Sequence, residues 1–377
     1  MKATVCHFER SREILPLSYV PRFLQPSEKQ AFSFLTGAQL LRFASVEMTH
    51  LSTYERGLIS EIMNLRLLDF LLDPNDNGDL TPHTFEGDAS SIREGVLLNA
   101  QTGRWFPIRD GIPSVFHDGL RAGMMREEDE AFLALHGDKL REISGVKLAQ
   151  DAVEHALEHT RAHDFTRMEN ERRARDEQSE DYDKMLSMKV LGLFEVPAYK
   201  KAFDEYSILP LDAPLLEAGC GTGRFTDLFA QYAGEVVAVD LSRDSILRNR
   251  VRHAGKTLSP VHYLHADLTH LPLRDNSFAR IAHIGVYEHI PSREMRMQFI
   301  AHAARVLEAS GTLLLSAYRY NGITKRFGKE GEHSGGIPFF RFTEDELRGE
   351  VEPCFDISWW KENLGIYMSM LAGTPKK

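Results

Sequence analysis

From Ala213 onward the chain alternates short apolar runs with stretches of helical spacing, and that alternation restricts the fold more than any other feature. Strand candidates fall at 214–218, 235–240, 261–265, 279–285 and 311–317. Most are near-continuous apolar runs, as expected of a sheet buried on both faces. Strand, helix and strand in succession predict a doubly wound α/β sheet, because the crossover helices cover its faces. Two further runs, "CFDISWWKEN" and "GIYMSMLAG", are separated by too little chain for a helix, so they are expected to pair as an antiparallel hairpin. Thr343 followed by Glu346 predicts a capping box opening the last helix.

The first strand runs into a glycine-rich turn, "LLEAGCGTGRFTDLFA" over 215–230. Gly219, Gly221 and Gly223 form G-x-G-x-G, whereas the dinucleotide fingerprint is G-x-G-x-x-G. Glycine lets the backbone pass beneath a ligand with no Cβ in the way. Glu217, two residues ahead of the first glycine, repels a pyrophosphate and favours an ammonium or a sulfonium. S-adenosylmethionine carries both cations, and its carboxylate suits the amide donors at the turn. The acid therefore favours that cofactor over NAD, and a dehydrogenase becomes the weaker reading. Asp240 ends the second strand, where an acid can bond both ribose hydroxyls, a feature shared with NAD proteins. Asp267 follows the third strand, where it can accept from an adenine amino group while the Leu268 amide donates to a ring nitrogen. Taken in order and at these spacings, the three acids point to one ligand.

These motifs resemble the class I S-adenosylmethionine-dependent methyltransferases, in particular the small-molecule group that includes ubiquinone and menaquinone methyltransferases. The likeness covers 213–317: "LLEAGCGTGRF", "VVAVDLS", "ADLTHLPLRDNSFARIAHIGVYEHI" and "RVLEASGTLLLSAY" stand where that family has its successive motifs. The resemblance implies a Rossmann-like seven-stranded sheet of order 3-2-1-4-5-7-6, with the last strand antiparallel. It also implies cofactor contacts from Glu217, Gly219, Cys220, Gly221, Asp240, Leu241, Asp267, Leu268, Ile284 and Gly285. Tyr182, in "EDYDKM", resembles a tyrosine that covers the methionine end in relatives.

Methyl transfer from a sulfonium needs collinear alignment more than a dedicated acid or base. Candidates for catalysis lie in "YEHIP" after the fourth strand: His289 as a base, with Tyr287 or Glu288 orienting it or the substrate. The bland alternative is a histidine that caps the next helix or fills a polar pocket. Acceptor specificity is expected in "YRYNGITKRFGKEGEHSGGIPFFRF", where Arg319, Lys325, Arg326 and Lys329 are interleaved with Tyr318, Tyr320 and Phe327. The same stretch also fits a loop with no acceptor contact.

Ahead of this domain the sequence divides into a helical N-terminal region over 1–72, a turn-rich segment over 73–118 and a helical linker with cofactor-covering helices over 119–206. The transferase domain occupies 207–377. The charge run "EHTRAHDFTRMENERRARDEQSEDYDKM" reads as a solvated helical face or linker, or else a partner-binding surface. His155, His159 and His163 share one helix face without carboxylate or cysteine support and read as solvated. The ends of the 73–118 segment, "LLDFLLDPNDNGDL" and "WFPIRDGIPSVF", resemble the small zinc-ribbon proteins that activate tRNA and protein methyltransferases. In the cysteine positions of that family stand Asp73, Asp76, Asn99 and Thr102, so no metal is expected. The turns are expected to rely on packing of Trp105, Phe106, Ile108, Ile112 and Phe116. The likeness suggests a built-in activator docked on the transferase.

A net charge of −10 argues against a broad nucleic-acid footprint, though a local basic patch would still permit one. Three scattered cysteines suit a reducing compartment, and the first twenty residues lack a signal-peptide pattern. The expectation is a cytoplasmic methyltransferase acting on a small molecule or biosynthetic intermediate. The alternatives are a tRNA or protein methyltransferase with a fused activator, and a non-catalytic cofactor-binding module.

Overall fold

A computed structural model describes residues 62–88, 90–147, 162–182, parts of 197–204, 211–333, 337–364 and 368–377. The chain divides into two units, Met1–Arg56 and Gly57–Lys377. The first lies outside the described residues, as do most of the helices expected over 1–72. Everything below concerns the second.

That unit begins with a five-stranded antiparallel sheet: β1 (Met63–Asn64), β2 (Thr81–Gly87), β3 (Ser91–Leu98), β4 (Trp105–Arg109) and β5 (Ile112–Pro113). The helix expected to reach residue 72 is absent from its last described part. Met63–Asn64 pairs with Ser91 and Ile92, and Leu65–Asp69 is a short 3-10 turn capped by the Asn64 side chain. Met63, Leu67, Phe70 and Leu71 are buried at a spacing that fits a helix equally well; strand pairing decides between them.

Three helices follow: α1 (Asp118–Met124), α2 (Arg126–Glu142) and α3 (Ala162–Tyr182). The second sheet contains β6 (Leu211–Ala218), β7 (Ala233–Asp240), β8 (Val261–His265), β9 (Phe278–His283) and β10 (Leu307–Tyr318), with the hairpin β13 (Phe355–Leu364) and β14 (Met368–Pro375). A short pair, β11 (Glu330–Glu332) and β12 (Pro338–Phe340), stands apart. Across the large sheet the order is β8-β7-β6-β9-β10-β14-β13, parallel except that β14 runs against both neighbours. Helices α4 (Thr226–Tyr232), α5 (Arg243–His253), α6 (Arg293–Val306) and α7 (Glu344–Val351) connect these strands. The expected capping box opens α7: the Thr343 hydroxyl accepts from the Glu346 amide, and the Glu346 carboxylate accepts from the Thr343 amide.

Successive strand residues serve opposite faces. Leu216, Val237, Leu264 and Ile281 share a core with Met63, Phe106, Ile108 and Phe116 of the small sheet. Leu215, Val236, Ala238 and Ala282 pack with Tyr199, Phe203, Phe225 and Phe229 on the other side. The small sheet is thus fused to one face of the large one. It also meets the large sheet at its β8 edge, where Ser114 bridges to His265 in parallel and the Val115 amide donates to the His265 carbonyl at 2.9 Å. Covering an edge strand removes a row of unpaired backbone groups.

The two turns resembling zinc knuckles converge on a guanidinium. Arg104 Nη1 donates to Asp73 at 2.8 Å and Asp76 at 3.1 Å, while its Nε donates to Asp118 at 2.9 Å. Asn99 Nδ2 donates to Asp73 and Asp76 at 2.9 and 3.0 Å. The Thr102 hydroxyl accepts from the Arg104 amide at 3.3 Å. Packing of Trp105, Phe106, Ile108, Ile112 and Phe116 is present, each almost wholly buried, but it is not the whole account. Charge-assisted hydrogen bonds tie the two turns together as well.

Candidate active site

The glycine turn, the ends of β7 and β8, the segment after β9 and helix α3 enclose one cleft. Glu217, Gly219, Cys220, Gly221, Asp240, Leu241, Asp267, Leu268, Ile284 and Gly285 all line it. At Gly219, φ is +86° and an added Cβ would sit 2.5 Å from Val286, so the close approach of two loops excludes a side chain. Gly221 differs, with φ +50° and nothing within 4 Å of an added Cβ, so it leaves a bare backbone face.

Each acid has a distinct environment. Glu217 lies beneath the turn, 4% exposed, and accepts from the Thr226 hydroxyl at 2.6 Å. Burial raises its pKa to about 8 despite that bond, so desolvation opposes the negative charge expected there from the sequence. Asp240 accepts from the Gly221 amide at 2.7 Å and the Ser242 amide at 2.9 Å, and burial outweighs these bonds to raise its pKa. Asp267 accepts from the Thr269 amide and pairs with His270 at 3.1 Å. Burial would raise its pKa, yet those partners hold it below the usual carboxylate range. Asp267 thus caps a turn and faces the cleft at once.

Helix α3, within the 119–206 stretch expected to contain cofactor-covering helices, forms the opposite wall. Its charge run reads as solvated, but Met168 is buried and Glu171, Arg172 and Arg175 line the cleft. Burial raises the Glu171 pKa to about 7, and Asp176 is fixed by the Ser242 hydroxyl at 2.6 Å. Met168 and Ala174, both buried apolar residues within a mostly polar helix, were the available signal. Tyr182 ends this helix, and its side chain lies outside the described residues, as do the side chains of His155, His159 and His163.

The three candidates after β9 separate. Tyr287 is fully buried, and its hydroxyl donates to Glu350 at 2.8 Å, beside the bidentate pair of Glu350 with Arg296. It lines neither the cleft nor the small cavity beside it, and its hydroxyl is bonded to Glu350 rather than to His289. Glu288 and His289 line a small cavity that shares Ile290 and Pro291 with the cleft. His289 Nδ1 donates to the Pro338 carbonyl at 2.8 Å, which leaves Nε2 as the accepting nitrogen, 4.0 Å from Glu288. Burial, then the charge of Arg175, holds its pKa well below the usual histidine range. The imidazole lies against Tyr318 and His333, with ring centroids at 5.8 and 5.5 Å. In the acceptor-loop candidate, Arg319 pairs with Glu362 and Lys329 with Glu346, while Lys325, Arg326 and Phe327 are exposed.

Residues 216–315 match a family described as a methyltransferase domain. The chain carries a class I S-adenosylmethionine-dependent methyltransferase domain. S-adenosylmethionine is the cofactor of such domains, and the bare Gly221 backbone beside Glu217, Asp240 and Asp267 fits it. A probable S-adenosylmethionine-dependent methyltransferase of Mycobacterium tuberculosis is 36% identical over 102 residues, 27% of this chain and 34% of that protein. A probable tRNA methyltransferase 9B of Mus musculus is 30% identical over 121 residues, 30% of this chain and 24% of its own. The match thus spans about a third or less of these relatives. Among solved structures, a 1,6-didemethyltoxoflavin-N1-methyltransferase of Burkholderia thailandensis is 16% identical, covering 58% of this chain and 92% of its own at a TM-score of 0.44. Among the described residues, no helix is long and apolar enough to cross a membrane.

Proposed function

We propose that the chain methylates a small-molecule or biosynthetic-intermediate acceptor by in-line displacement. One observation carries this reading: Glu217, the glycine turn, Asp240, Asp267 and Gly285 line a single cleft, with a second cavity adjoining at Ile290 and Pro291. Bound there, S-adenosylmethionine supplies an electrophilic methyl on a sulfonium, so alignment of the acceptor is the main demand on the protein. Asp240 holds the ribose, Asp267 and Leu268 the adenine, and Glu217 lies beneath the amino-acid end. The acceptor is received in the main cleft near Ile290 and Pro291, beside Glu288 and His289. A neutral, buried imidazole with a free Nε2 suits accepting a hydrogen bond from the acceptor better than full proton removal. The segment 73–118 serves as a fused counterpart of the zinc-ribbon activators.

Similarity to a probable tRNA methyltransferase supports a second reading, with RNA as acceptor; the net charge of −10 opposes it. The test is incubation of the full chain with methyl-labelled S-adenosylmethionine and a cell extract fractionated into small molecules, RNA and protein. Label in the small-molecule fraction, lost with Asp240→Ala, is the expected result. Label in RNA or protein establishes the alternative, and tight cofactor binding with no labelled product leaves a non-catalytic module.

A further inference from the structure

Between the small sheet and the cofactor cleft stands a buried histidine bonded at both ends. His265 closes β8, two residues before Asp267, and is 1% exposed. Its Nε2 lies 3.0 Å from the carbonyl of Leu241, the residue after Asp240 and part of the cleft wall. Its Nδ1 lies 2.9 Å from the Ser114 hydroxyl, which belongs to the small-sheet segment. A carbonyl only accepts, so Nε2 carries the hydrogen. Burial, reinforced by the charge of Arg243, holds the ring neutral, so Nδ1 accepts from Ser114. The Leu241 carbonyl thereby fixes the tautomer, and the Ser114 hydroxyl satisfies and anchors the other ring nitrogen.

We propose that Ser114 is a positioning residue for the cofactor site, acting through His265 on the backbone at Leu241 and so on the Asp240 carboxylate. The inference rests on the methyltransferase reading above and deepens it. Geometry around the relay supports it. Ser114 is held rigidly, since its amide donates to the Pro107 carbonyl at 2.9 Å and the Phe116 ring meets the His265 ring edge-on at 4.8 Å. The Ala266 amide donates to the Asp240 carbonyl at 3.1 Å, joining the two strand ends that carry the ligand acids. The tip of the same sheet grips the helix after Asp240: Arg243 pairs with the Asp110 carboxylate, and Arg250 donates to the Asp110 carbonyl. The small sheet is thus linked to the cofactor wall by directional bonds as well as by a shared core. Removing the hydroxyl leaves Nδ1 buried without a donor and the ring held at one end only, so its bond to the Leu241 carbonyl is less firmly placed.

Calorimetry with S-adenosylhomocysteine on the folded full chain tests this. Ser114→Ala should weaken binding roughly three- to tenfold, the net worth of one hydrogen bond, and Ser114→Thr should restore it. Phe132→Leu, in a core cluster of the small sheet that includes neither Ser114 nor His265, should lower the melting temperature and leave affinity unchanged. If Ser114→Ala stays folded and binds like the parent, or if Phe132→Leu weakens binding as much, the relay is overturned. Should Ser114→Ala fail to fold, nitrogen NMR of His265 in the parent protein decides: a proton on Nε2 upholds the relay and a proton on Nδ1 refutes it. A parent chain that binds no S-adenosylhomocysteine would instead sink the functional reading, a separate outcome.

Discussion

Replacing Arg104 by methionine removes the cation on which the two knuckle-like turns close. Asp73 is fully buried, Asp118 is 9% exposed, and Arg104 itself is 20% exposed, so little solvent is available to screen the loss. Breaking a buried pair by removing one partner typically costs about 3–5 kcal/mol, because the other charge is left uncompensated. Partial exposure of Asp76 and Arg104 places the expected loss near the lower end, about 3 kcal/mol. For a unit of this size, Gly57–Lys377, that corresponds to a fall in Tm of roughly 4–5 °C. Scanning calorimetry of Arg104→Met against the parent reads it directly. The sign of a second change sharpens the argument: Arg104→Met with Asp73→Asn should be more stable than Arg104→Met alone, because the orphaned carboxylate is gone. A melting temperature for Arg104→Met within a degree or two of the parent, or a double variant less stable than the single, would refute the view that this guanidinium holds the ribbon together.

The titration of Glu217 gives a second expectation. Its folded pKa of about 8 exceeds the ordinary 4.5, so the folded state holds an extra proton between those values and this group's contribution to stability declines as pH rises across that window. Glu217→Gln should flatten that part of the stability profile, and it should reduce the proton release seen when S-adenosylmethionine titrations near pH 7 are compared in buffers of different ionisation enthalpy. Equal release by both proteins would show that Glu217 is already ionised. Tyr287→Phe should lower stability by about 1–3 kcal/mol, the cost of a lost buried bond to a charged group, while Michaelis constants stay near the parent values. Lost turnover at unchanged stability would return Tyr287 to the chemistry.

Much of the transferase domain was legible because its signals are local. Leu215 and Leu216 are both buried, one on each face of the sheet, so the strand carries no alternation and reads as an apolar run. Gly219 announces a tight approach because no other residue tolerates it, and Asp240 and Asp267 sit where strands end. The capping box of α7 spans four residues and needs nothing beyond them.

What tertiary structure alone decided has a common cause. The Arg104 network joins residues 31 positions apart. Charge density marks the α3 helix as polar, yet whether Glu171 and Arg175 meet water or a cleft depends on what lies against them. Tyr287 and His289 are two residues apart on one 3-10 turn; the first turns to Glu350, the second to Pro338. Even the charge of Glu217, plain as a letter in the sequence, depends on desolvation by surrounding chain. Backbone preference and apolar periodicity act over a few residues, so the sequence determined strands, turns and the order of ligand acids. Ionisation and pairing depend on which distant groups exclude water, and only the packed chain settles that.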